Sequence, residues 1–217
     1  MAAPLAIDLF CGLGGWTEGL LAEDYDVVGF DIEQHVYGEH RYPAQLVVQD
    51  VLTLHGSQFK DAALIVASPP CQAYSYCAMP WKRAKALPPP DNTLFEACFR
   101  IQREACQAAG RHIPLIVENV RGAQPWVGRA RWNFGSFYLW GDVPALMPIE
   151  NQIKGDSGTW FGKYEGTKQG GDWFNASQLY IARRSSSKSK ARKKASAIIA
   201  KIPLPLSRWI GRAFKQI

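Results

Sequence analysis

The stretch from Leu5 to Ala22 constrains the fold of this 217-residue chain more tightly than any other. An apolar run, Leu5 to Leu9, leads at once into the glycine-rich turn Cys11-Gly12-Leu13-Gly14-Gly15 and then into the helix-compatible segment Trp16 to Ala22. That order reads as strand, loop, helix. A glycine-rich loop so placed lets backbone approach a ligand and aims a helix N-terminus at negative charge.

Four later apolar runs share one property. Val27 to Phe30 ends in Asp31, Leu46 to Val48 ends near Asp50, Ala62 to Ala67 ends in Ser68-Pro69-Pro70, and Leu115 to Val117 ends in Glu118-Asn119. Each candidate strand delivers polar residues at its C-terminal end. Leu94, Cys98, Ile101 and Ala105 recur at helical spacing after Asn92-Thr93, which predicts an amphipathic helix over Thr93 to Ala109 capped by that pair. Strands alternating with helices predict an α/β, doubly wound, Rossmann-like sheet whose ligands collect beyond the carboxyl ends of the strands.

Gln72 to Pro90 lacks periodicity and reads as a long loop. From Asp142 to Lys201 the chain turns glycine-rich and aromatic, then basic, before Ile202 to Phe214 resumes an apolar helical pattern. The expectation is one core built from residues 1–141 and 203–217, the latter a returning helix, with a small insert at 142–202.

Composition excludes several classes. At 47% apolar and 20% charged, the chain suits a folded domain with one substantial core. Its apolar stretches are short and broken by charge, as Asp8 breaks Leu5 to Phe10, and no basic region precedes an apolar N-terminal core. No membrane partner and a cytoplasmic address follow as expectations. Five cysteines (Cys11, Cys71, Cys77, Cys98, Cys106) form no CxxC pair and four histidines are scattered, so neither a disulfide framework nor a metal site is expected. Seven of the basic residues behind the net charge of +6 fall between Arg183 and Lys194, a run without acid that reads as a solvated loop suited to DNA or RNA.

The glycine loop does not complete the dinucleotide fingerprint, because Thr17 stands where the third glycine or alanine belongs. Phe10-x-Gly12-x-Gly14, with Asp31 closing the second strand, suits S-adenosylmethionine instead. Its ribose hydroxyls want an acidic acceptor, and its carboxylate wants backbone N–H groups. Asp50, closing the third strand, is placed to accept from the adenine amino group.

Asp8-Leu9-Phe10-Cys11-Gly12-Leu13-Gly14-Gly15, Pro70-Cys71-Gln72, Thr93-Leu94-Phe95, Glu118-Asn119-Val120 and Arg129-Ala130-Arg131 resemble, in order, the motifs of DNA cytosine-5 methyltransferases. The likeness covers about Leu5 to Trp140. It is closest to compact, phage-type forms with a reduced target-recognition region. It departs at Val127, where the family carries glutamine, and at Pro203-Leu204-Pro205, where it carries an asparagine turn.

The resemblance implies a reaction and a site. Cytosine C5 is too poor a nucleophile to attack a methyl sulfonium, but a thiolate adding at C6 makes C5 reactive. Cys71 would supply that thiolate and Glu118 a proton for N3. Arg129 and Arg131 would hold the base O2 and an adjoining phosphate. The cofactor site would comprise Asp8, Phe10, Gly12, Gly14, Gly15, Asp31, Ile32, Asp50, Val51 and Pro70. The nucleic-acid side would comprise Gln72, Ser75, Asn119, Lys188, Lys190 and Arg192. Because C6 is unreachable inside a duplex, the base must be flipped out, with Gln72 to Pro90 as lid. The enzyme is expected to act as a monomer on DNA, without metal, in a bacterial or phage-infected cell. A tRNA cytosine methyltransferase, a catalytically idle nucleic-acid-binding module and an NAD-binding oxidoreductase remain as alternatives.

Overall fold

The computed structural model describes residues 2–75, 88–147 and 189–215. Seven strands form one sheet: β1 (Leu5–Leu9), β2 (Asp26–Asp31), β3 (Gln45–Val48), β4 (Leu64–Ala67), β5 (Leu115–Asn119), β6 (Trp132–Phe134) and β7 (Phe137–Gly141). Among the described residues, five α-helices accompany them: α1 (Gly15–Leu21), α2 (Thr93–Ala109), α3 (Gln124–Val127), α4 (Lys190–Ile199) and α5 (Leu204–Phe214). The strand order is β3-β2-β1-β4-β5-β7-β6. β1 to β5 run parallel, and β7 lies antiparallel between β5 and β6. The chain winds outward from β1 in one direction and from β4 in the other, so the switch point lies between them, where doubly wound sheets bind ligands.

The continuous apolar runs of β1, β4 and β5 are explained by burial on both faces. Ile7, Leu9, Ile65, Ala67, Leu115 and Val117 point to one side, where Phe95, Cys98, Ile101 and Ala105 of α2 cover them. Ala6, Leu64, Val66 and Ile116 point to the other, where Trp16 and Leu20 of α1 and Leu206 and Ile210 of α5 close the second core. Strand side chains alternate faces, so continuing the pattern brings Asp8, Ser68 and Glu118 onto this second face on neighbouring strands.

α1 and α5 approach closely because glycine lines their contact. A Cβ on Gly19 would stand 2.1 Å from Ser207 Oγ, and one on Gly15 would stand 2.3 Å from the Ile202 amide nitrogen. Tyr25 donates to the Gly211 carbonyl at 2.9 Å, and Glu23 accepts from Arg208 Nε at 2.7 Å and pairs with Arg212 Nε at 3.0 Å.

Two local expectations are corrected. α2 is not capped by the Asn92 side chain. Asp91 Oδ1 accepts from the Thr93 amide at 2.8 Å, while Asn92 is engaged by Tyr74 and the Trp126 carbonyl. The basic run, where it is described, is helical: Ser189 caps α4 by accepting from the Arg192 amide at 3.1 Å, and Ala195 is buried. Lys188, Cys77 and the insert aromatics Trp160, Phe161, Tyr164, Trp173 and Phe174 lie outside the described residues. Among those described, no helix is long and apolar enough to cross a membrane, and no cluster of His, Cys, Asp or Glu is arranged to hold a metal.

Candidate active site

Two cavities open at the carboxyl ends of β1, β2, β4 and β5, one of about 690 Å³ and one of about 370 Å³. Phe10, Gly12 and His35 border both. The larger runs from Asp31 and Ile32, after β2, past Asp50 and Val51 to Pro70, Cys71 and Gln72, and reaches Glu118 at the end of β5. Most residues assigned to the cofactor and to the chemistry therefore line one cavity. Ile32 is 70% exposed and Val51 is buried, so the two present apolar surface from opposite extremes of burial.

The glycine loop is held from β2. Asp31 Oδ2 accepts from the Gly12 amide at 2.8 Å, and Oδ1 lies 3.6 Å from His35 Nε2. Burial opposes the Asp31 charge, but the hydrogen bonds from His35 and Gly12 outweigh it and hold the pKa below the usual carboxylate range. Gly14, at φ +77°, turns the chain into α1, and a Cβ there would stand 2.4 Å from Pro43 Cδ. Asp50 Oδ1 accepts from the Leu52 amide at 2.9 Å, which fixes the turn that presents Val51.

Asp8 and Gly15 border the smaller cavity. Asp8 is buried and accepts from Thr17 Oγ1 at 2.6 Å, with Tyr42 OH 2.7 Å beyond Thr17. Burial pushes its pKa up to about 7. Thr17, which breaks the dinucleotide fingerprint, is thus the internal partner of the first-strand carboxylate.

Cys71 begins a short helical turn, Gln72–Tyr74, and is half-buried. The Ser75 hydroxyl donates to its carbonyl at 2.9 Å. Burial raises the thiol pKa, the Ser75 hydroxyl lowers it, and the charge of Glu118, when present, raises it again. Glu118 is buried at the end of β5, and desolvation pushes its pKa up to about 8 against a hydrogen bond from Ser68. Trp16 Nε1 donates to Ser68 Oγ at 3.0 Å. Trp16 and Ser68, absent from the sequence-based assignment, thereby position the carboxyl group. Period-2 counting from Leu64 through Val66 to Ser68 was the available signal.

Other assigned residues fall elsewhere. Asn119 is buried behind the cavity, donating to the Pro69 carbonyl at 3.0 Å and accepting from the Val120 amide at 2.8 Å, so it fastens the Pro69-Pro70-Cys71 loop to β5. Ser75 acts on Cys71 and borders neither cavity. Arg129 and Arg131 are exposed ahead of β6, the latter anchored by its amide to the Leu139 carbonyl at 2.9 Å, and neither borders a cavity. Lys190 is exposed at the start of α4, whereas Arg192 borders the larger cavity. A half-buried thiol and a buried carboxyl group of raised pKa, lining one cavity, offer a nucleophile and a proton donor for addition to an electron-poor ring.

Residues 5–125 match the model of a family described as C-5 cytosine-specific DNA methylase. No match is found among curated proteins. Similar solved structures include a DNA modification methyltransferase encoded within an E. coli prophage, at 26% identity and a TM-score of 0.39, covering 56% of this chain and 33% of that one. They also include the Dnmt2 methyltransferase of S. pombe, at 17% identity and a TM-score of 0.38, covering 56% and 36%. A third is the Entamoeba histolytica methyltransferase EhMeth, at 17% identity and a TM-score of 0.40, covering 58% and 41%. The matched part thus spans about a third to two fifths of those proteins.

Proposed function

The chain belongs to the C-5 cytosine-specific DNA methylase family, and from that premise we propose that it methylates C5 of cytosine in DNA, using S-adenosylmethionine and a covalent Cys71 adduct. The observation that carries this reading is the presence, in the lining of one cavity, of Cys71 and of a Glu118 whose pKa burial raises to about 8.

The walls fit the cofactor. Asp31 Oδ1 and Asp50 supply acceptors for ribose and adenine, Phe10, Ile32 and Val51 supply apolar surface, and Asp8 retains an unpartnered buried oxygen. When bound, S-adenosylmethionine supplies an electrophilic methyl group. Cys71 Sγ, as thiolate, bonds to C6 of the flipped-out cytosine, and the electrons of the C5–C6 bond pass toward N3. Glu118 delivers its proton to N3, which leaves C5 nucleophilic. Once C5 is methylated, N3 returns its proton to Glu118, the C5 proton leaves to solvent, the C5=C6 double bond re-forms and Cys71 departs as thiolate. Trp16 and Ser68 hold Glu118 during these steps, and Asn119 holds the loop that carries Cys71. Arg129, Arg131 and Lys190 fit contacts with the nucleic-acid backbone from outside the cavities, Arg192 would reach it from the border of the larger one, and Lys188 is assigned to the same task from sequence alone.

The direct test is transfer of labelled methyl from S-adenosylmethionine to duplex DNA and to tRNA, with bisulfite sequencing of the DNA. Label at C5 of cytosine in DNA is expected. Label confined to tRNA would overturn the DNA assignment, and label in neither would overturn the enzyme reading.

Asp31→Ala should weaken S-adenosylmethionine at least about tenfold in calorimetry, because a charge-assisted acceptor for the ribose is lost along with the anchor of Gly12. Thermal unfolding should remain cooperative. Unchanged affinity would remove Asp31 from the site.

A further inference from the structure

Two ionisable groups on the 370 Å³ cavity, Asp8 and Lys193, form no ion pair among the described residues. Asp8 spends Oδ2 on Thr17, but its buried Oδ1 has no hydrogen-bond partner. Leaving a buried carboxylate oxygen unsatisfied is costly, and a bound polar group at the cavity would remove that cost. Lys193, Ser196, Ala197 and Ala200 of α4 and its C-terminal end border the same cavity, at spacings that place them on one helix face. Two lysines reach this wall. Lys201 is held by Glu18, whereas Lys193 has no ion pair among the described residues.

One acceptor and one cation without a hydrogen-bond or ion-pair partner among the described residues, on a single cavity, match a ligand head that carries an ammonium and a carboxylate together, as an α-amino acid does. We infer that Lys193 is a specificity-determining residue for the amino-acid end of the cofactor, its ammonium taking the carboxylate while Asp8 Oδ1 takes the amino group. This rests on the S-adenosylmethionine reading and refines it. It also distinguishes Lys193, on the smaller cavity, from Arg192, which borders the larger one, and from Lys190, which borders neither.

Calorimetry on the full chain with two ligands tests the inference: S-adenosylhomocysteine, which keeps the amino-acid end, and 5′-methylthioadenosine, which lacks it. Lys193→Gln should weaken the first at least about tenfold and leave the second within about twofold, and Lys193→Arg should recover most of the loss. The salt dependence of DNA binding by Lys193→Gln should match that of wild type, because the side chain faces the cavity. Unchanged affinity for S-adenosylhomocysteine, or equal weakening of both ligands, would overturn the inference. Wild-type protein that binds only 5′-methylthioadenosine would overturn it while sparing the nucleoside part of the cofactor reading. Wild-type protein that binds neither would overturn both.

Discussion

Cys71→Ser is expected to lower methyl transfer by about a thousandfold or more, while the affinity for S-adenosylhomocysteine stays within about twofold of wild type. The substitution keeps the shape of the short turn at Gln72–Tyr74 and the Ser75 contact with the residue 71 carbonyl. What it removes is nucleophilicity: an alcohol is hardly ionised near neutral pH, and the thiol it replaces is already disfavoured as thiolate by burial. Single-turnover transfer measured beside calorimetric affinity separates the two effects. A variant that transfers at more than about a tenth of the wild-type rate would show that Cys71 is not the nucleophile.

Glu118→Gln carries two linked expectations. Transfer should fall by about 10² to 10⁴, because an amide can occupy the place of the acid but cannot yield its proton to N3. The alkaline limb of the kcat/KM profile should vanish with it. In wild type that limb falls near pH 8, as Glu118 loses the proton that burial retains. The same shift fixes a sign for stability. The folded pKa lies at about 8, above the ordinary 4.5, so the folded state binds the proton more tightly. The contribution is complete below about pH 4.5 and is lost as pH rises toward 8. Glu118→Gln lacks that loss, so its stability relative to wild type should grow across this window, by an amount on the order of a few kcal/mol. Asp8, raised to about 7, imposes a similar slope on both proteins and cancels in the comparison. Denaturant titrations at pH 5 and pH 8 that give the same stability difference would show that Glu118 is ionised in the folded protein.

The parts of this molecule that sequence made legible are those governed by local rules. Of the five parallel strands, β1, β4 and β5 announce themselves as short apolar runs because they are buried on both faces, and all five end in or near the polar residues that the sheet then gathers at one edge. β6 and β7 were not assigned. Trp132–Phe134 is only three residues long, and its hairpin turn at Gly135, with φ +58°, sits inside an aromatic stretch without clear alternation. Gly135-Ser136 between two aromatic residues was the one hairpin signal present.

Within the site, chemical type was easier to read than direction. Cys71 and Glu118 were identifiable by their motifs, but whether Asn119 faced substrate or its own chain depended on the Pro69 carbonyl 50 residues away. Ser68 looked like punctuation before two prolines until the alternation of β4 turned it toward Glu118. The basic run misled most. Its charge suggested a solvated loop, whereas the described part is a helix that buries Ala195 and brings Lys193 to the border of one cavity and Arg192 to that of the other. Charge density describes the outer face of a helix and is silent about the inner one.

The covalent step is tested most directly with duplex DNA in which the target cytosine carries fluorine at C5. Fluorine cannot leave as a cation, so after Cys71 has added at C6 and C5 has been methylated, the elimination that frees the enzyme is blocked. Wild-type protein should remain joined to the DNA through denaturing electrophoresis, in a reaction that needs S-adenosylmethionine for full accumulation, and Cys71→Ser should form no adduct. An enzyme that methylates ordinary DNA yet forms no adduct with the fluorinated duplex, or a Cys71→Ser variant that traps as well as wild type, would contradict the mechanism.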